Sequence, residues 1–102
     1  MATKECRNPV VVRADLIDPD FMLGLGHVVG WGAQKYGDNN WKSGLTGCNS
    51  GLNHALVHIA EYQRGTVSEI DETVEGQLYQ AAVNLMFEAY FARKARLAKA
   101  AK

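Results

Sequence analysis

The last third of the chain sets the hardest constraint on the fold. A helix capped by Ser68 and running from 69 to 99 would be roughly 46 Å long at 1.5 Å per residue, whereas a compact sphere of 102 residues is only about 33 Å across. Glu69, Asp71, Glu72 and Glu75 crowd the positive end of such a helix, and Arg93, Lys94, Arg96 and Lys99 lie near its negative end. That arrangement marks both termini by their match to the helix dipole. Between them stand Leu78, Tyr79, Val83, Leu85, Met86, Phe87, Tyr90 and Phe91, apolar on more faces than one neighbour covers. A rod of this length and greasiness must project or meet another subunit. The sequence therefore predicts an all-α helical bundle that assembles as a homo-oligomer.

Two shorter helices precede the long one. Asp18 before Pro19 is an N-cap with proline at the first helical position, and Phe21, Leu25, Val28 and Gly32 recur on one face until Gly37 supplies the stop. The spacing predicts a helix over Pro19 to Tyr36. "DNNWKSGLTGCNSG" is then a loop, and a second helix starts near Ser50, turns Leu52, Ala55, Leu56 and Ile59 inward, and ends at Gly65. Residues 1–17 contain a β-branched run, "PVVVRADLI", with no partner strand elsewhere, so they are expected as an extended arm. Residues 92–102 form a basic helical tail whose end frays, and the whole of 1–102 is expected as a single domain.

With 11 basic and 11 acidic side chains the net charge is zero, which points away from a nucleic-acid polymer or a lipid surface and toward a small partner. Cys6 and Cys48 are too few to staple a secreted scaffold, and "MATKECRNPVVV" lacks the apolar core of a signal peptide. No run is long enough to cross a bilayer. A reducing cytoplasm is the expected setting.

Several groups could carry chemistry. Gln77, Gln80, Asn84 and Glu88 form one polar stripe on the long helix, facing either water or a site; short amides are an unusual choice for a merely wet face. His54, His58 and Glu61 fall at i, i+4 and i+7, a weak zinc pattern that lacks the Glu following the first His in zincins; a surface His54 and a buried, hydrogen-bonded His58 explain them as well. Residues 69, 72 and 75 share a helical face if the long helix starts after Ser68. They could then hold Mg²⁺, or they could simply be first-turn acids. Gly24, Gly26, Gly30 and Gly32 are not a phosphate loop, since no strand leads in, and they suggest close packing against helix 1. In "KYGDNNW", Trp41 is either a plug over the bundle or, with Tyr36, a stacking surface for a base, while the asparagines read its edge and Lys35 meets phosphate.

Taken in order, "GAQKYGDNNWKSG", "LNHALVHIAEYQRG", an acidic turn and "QLYQAAVNLMF" resemble the phage-type dATP/dGTP diphosphohydrolase N-terminal domain family, relatives of the MazG-like pyrophosphohydrolases. The resemblance spans roughly residues 16 to 91. It implies Mg²⁺-assisted hydrolysis of a purine deoxynucleoside triphosphate to monophosphate and pyrophosphate, in the cytoplasm of a bacterium or a phage-infected cell. On that likeness Glu69, Glu72 and His58 are the catalytic candidates, and Glu69, Asp71, Glu72 and Glu75 the metal candidates. Lys35, Tyr36, Asn40, Trp41, Gln77, Gln80 and Asn84 would contact the substrate. The chain departs from the pattern at Val57, where the family has Arg, and at Thr66, where an acid is usual. Gln77 and Gln80 stand in place of two histidines, and Phe91 in place of the last acid of ExxE–ExxD. Those departures imply an alternative, a nucleotide-sequestering protein that keeps the pocket without the chemistry.

Overall fold

Asp18 starts the first helix as its place before Pro19 predicts: its side chain accepts a hydrogen bond from Phe21 N at 3.2 Å. The computed structural model describes residues 12–44 and 49–101, and the described residues are helical without strands. Helix α1 runs Pro19–Tyr36, α2 Gly51–Gln63 and α3 Glu75–Ala100. Short 3₁₀ turns occupy Ala14–Leu16 and Asn40–Ser43. Gly37, at φ 95°, ends α1. Ser50 caps α2 by accepting from Asn53 N. Beyond α2, Gly65 at φ 80° makes a Schellman turn in which Thr66 N reaches Glu61 O and Gly65 N reaches Tyr62 O.

The start of α3 differs from expectation. Ser68 does not cap it, residues 69–74 are not helical, and Glu69, Glu72 and Glu75 therefore share no helical face. Local side-chain bonding wins over helix here. Asp71 Oδ1 accepts from both Thr73 N and Thr73 Oγ1, and Thr73 Oγ1 in turn accepts from Gly76 N, inside the first turn of α3. Glu72 sits in the left-handed region at φ 60°. Of the four acids, only Glu75 lies in the helix.

Helices α2 and α3 pack face to face through small residues. Ala55 and Val83 are buried, and a Cβ placed on Gly51 would strike the Asn84 carbonyl oxygen. Glu88 Oε1 accepts from Leu52 N at 3.0 Å, putting a carboxylate at the positive end of α2. Helix α1 is held mainly at Tyr79, whose ring meets Phe21 edge-on at 5.4 Å and lies 2.6 Å from where a Cβ on Gly24 would stand. Gly26, Gly30 and Gly32 have nothing that close, so the expected approach occurs at Gly24 alone of the four.

Only Ala55, Ala81 and Val83 are buried hydrophobics among the described residues. Leu52 and Leu56, expected to face inward, are 48% and 57% exposed because Gly51 and Ala55 turn the small side of α2 to α3. Met22, Leu23, Leu85 and Met86 are also exposed. The radius of gyration is 16.4 Å, against about 13 Å for a compact chain of this length. The expected arm over 1–17 is described from residue 12 on, where it includes the 3₁₀ turn and an Arg13–Asp15 ion pair rather than being wholly extended; the remainder, with Cys6, and also Cys48, lies outside the described residues. No helix is long and apolar enough to cross a membrane, among the described residues.

Candidate functional site

The two glutamines of the polar stripe are not a solvated face. Gln77 is 5% exposed and Gln80 8%, and each is engaged by the turn that joins α2 to α3. Ser68, fully buried, donates from Oγ to Gln80 Oε1 at 2.7 Å and accepts from Ile70 N at 3.1 Å. Gln77 Nε2 donates to the Val67 carbonyl at 3.2 Å, and Gln77 Oε1 lies 2.7 Å from His58 Nδ1. Asn84 Nδ2 donates back to Gln80 O at 2.8 Å. The two glutamine amides thus have partners on neighbouring elements and Asn84 one on its own helix, which costs far less than burying them alone.

His58, Gln77, Gln80 and Asn84 floor a cavity of about 1000 Å³, at the upper end of the size of small-molecule pockets. Helix α1 gives it Trp31, Lys35 and Tyr36; the following loop Asn39, Asn40 and Trp41; α2 His54, His58 and Glu61; the turn Thr66 and Glu69; and α3 Gln77, Gln80 and Asn84. At its rim Lys35 Nζ lies 4.6 Å from the Trp31 ring centre and 5.2 Å from that of Tyr36, close enough for the rings to attract the ammonium. Tyr36 is 61% exposed. Trp41 stacks on Phe87 at 4.4 Å and meets Tyr90 and Phe91 edge-on, so it plugs the bundle from the loop side while still lining the cavity.

The structure gathers Lys35, Tyr36, Asn40, Trp41, His58, Glu69, Gln77, Gln80 and Asn84 around the cavity and leaves Asp71, Glu72 and Glu75 outside its lining. Asp71 is occupied by its bonds to Thr73. Although His54, His58 and Glu61 line the cavity together, no group of three or more His, Cys, Asp or Glu that could hold a metal ion occurs among the described residues. Glu61 itself accepts from Thr66 Oγ1 at 2.8 Å and lies 3.5 Å from Arg64. Trp31, not among the sequence candidates, joins the site because its place four residues before Lys35 puts both on one helix face. Glu61 was visible only as a zinc candidate.

The family described as dATP/dGTP diphosphohydrolase, N-terminal, matches over residues 2–101. No curated protein and no solved structure matches.

Proposed function

The chain belongs to the dATP/dGTP diphosphohydrolase N-terminal family, and from that membership we propose that the cavity binds a purine deoxynucleoside triphosphate and hydrolyses it to monophosphate and pyrophosphate. The observation that carries this is convergence: residues from α1, its loop, α2, the turn and α3 line one cavity. Tyr36 offers the exposed ring for a base, Asn40 and Asn84 its hydrogen-bonding edge, and Lys35 the cation for phosphate. Ser68 in the turn fixes Gln80 beneath the cavity through its hydroxyl.

Magnesium would be held by Glu69, with Glu61 as the second carboxylate in the cavity lining. One or two carboxylates suit Mg²⁺, which keeps its other positions for waters and substrate phosphates. On this reading the ion comes in with its nucleotide, Glu61 exchanging its exposed contacts with Thr66 and Arg64 for it, and is not caged by Glu69, Asp71, Glu72 and Glu75. When bound, the ion would offset phosphate charge and activate water.

A second reading is favoured by the same acids. With Asp71 used in the turn and glutamines at 77 and 80, the protein would retain nucleotide without cleaving it. Incubation with each ribo- and deoxynucleoside triphosphate, with and without Mg²⁺, followed by ion-exchange chromatography, separates the two. Metal-dependent monophosphate and pyrophosphate support hydrolysis; intact nucleotide co-eluting with the protein supports retention; neither result sinks both. The exposed Met22, Leu23, Leu85 and Met86 support a homo-oligomer, and a monomeric mass by light scattering would refute it.

A further inference from the structure

Gln77 has a separate partner for each of its amide atoms: Nε2 donates to Val67 O, and Oε1 faces His58 Nδ1. A backbone carbonyl can only accept. Turning the amide over would set two acceptor oxygens against each other at Val67, while the contact at His58 would suit either orientation through the ring's tautomer. Val67 thus decides which amide atom meets the imidazole. That atom is an oxygen, so His58 Nδ1 must carry the proton. Neutral imidazole has one N–H, which leaves the lone pair on Nε2. The ring lines the cavity, and among the described residues no protein group bonds to Nε2.

The geometry points to Gln77 as a positioning residue that holds neutral His58 in its Nδ1–H form, so that His58 offers the cavity a hydrogen-bond acceptor. A phosphate oxygen, itself an acceptor, is not its partner. Its partner is an O–H or N–H group, either water poised near the phosphates or a hydroxyl or amine of the ligand. Gln77, assigned to substrate contact on the family likeness, acts instead through the histidine. The choice between water and ligand rests on the nucleotide reading; the tautomer does not.

Nitrogen-15 NMR of the histidine-labelled full chain reads the tautomer directly, with His58→Asn assigning the signal. The spectra are recorded at about pH 8.5, roughly two units above the ordinary imidazole value. The expected result is Nδ1–H for His58 in the unaltered protein. Gln77→Met, which keeps the volume and removes the acceptor, should shift it to the Nε2–H form, and Gln77→Glu, which keeps an oxygen against Nδ1, should not. Protonation on Nε2 in the unaltered protein overturns the proposal without any variant having to fold. In nucleotide assays Gln77→Met should then lower kcat about tenfold at unchanged KM if the partner is water, or raise Kd about tenfold if it is the ligand. No change in either quantity refutes the acceptor role. Because the NMR needs no nucleotide, failure of the hydrolase reading leaves the tautomer result standing.

Discussion

The seam between α2 and α3 and the seat of α1 on α3 are both built at glycines, yet they differ in what the glycine touches. At Gly51 the neighbour is backbone, the Asn84 carbonyl, and the seam around it buries Ala55 and Val83 and carries the His58–Gln77 bond. At Gly24 the neighbour is a side chain, the Tyr79 ring, and α1 buries no residue fully. Backbone in a helix cannot step aside, whereas a ring can turn. The first contact therefore fixes the floor of the cavity, and the second lets α1 present its rim from a looser seat.

Substituting the two glycines gives the largest expected contrast. Gly51→Ala should destabilise by about 3 kcal/mol, the upper range of overpacking, while Gly24→Ala should cost about 1 kcal/mol because gained helix propensity offsets part of its clash. Urea denaturation measures both, and equal losses would erase the distinction. Ser68→Ala removes the buried hydroxyl that serves Gln80 and Ile70, and should cost about 2 kcal/mol by the same measurement. Lys35→Ala acts on the rim: nucleotide affinity by calorimetry should fall about fivefold, near 1 kcal/mol, with the unfolding midpoint almost unmoved. A large loss of stability there would show that the rim is structural.

The smallest effect belongs to the turn ahead of α1. The Arg13 guanidinium holds the Asp15 carboxyl below its ordinary value of 3.8, and Asp15 in turn raises Arg13. A carboxyl lowered in the folded chain contributes stability above its unfolded value and loses it as the pH falls through the folded one. Both groups are fully exposed, so the effect on unfolding should be slight and confined to the acid range below about 3.8. A carbon-13 titration of Asp15 should show a lower midpoint than in Arg13→Ala.

The legible parts of this chain were those written in neighbouring residues. Asp18, Pro19 and Gly37 bound α1, and Ser50 and Gly65 bound α2, because caps and glycine stops act within a few positions. The start of α3 was misread because Ser68 followed by acids has the look of a cap and first turn. Its hydroxyl is instead drawn to Gln80, twelve residues on, while Asp71 and Thr73 bond locally in a conformation that helix does not permit. The site divides in the same way. Lys35, Tyr36, Asn40 and Trp41 are recognisable as a helix end and following loop of unusual residue types, and the glutamine stripe as polar positions on an apolar rod. That Gln77 meets His58 and Val67 is a product of tertiary packing, and no periodicity encodes it. Hydrophobicity alone points Leu52 and Leu56 inward, but Gly51 and Ala55 let the backbones approach more closely.

The turn from Gly65 to Thr73 that ties α2 to α3 also bears on how the chain acquires its shape. Contacts across that hairpin join residues near in sequence, the kind of pairing that forms fast because little loop entropy opposes it, whereas α1 reaches Tyr79 only across the whole intervening loop. The hairpin is therefore expected to form the folding nucleus, with a higher φ-value at Ala55 than at Phe21; the reverse order would contradict it. On that route the helix synthesised first docks last, and the floor of the cavity exists before its rim.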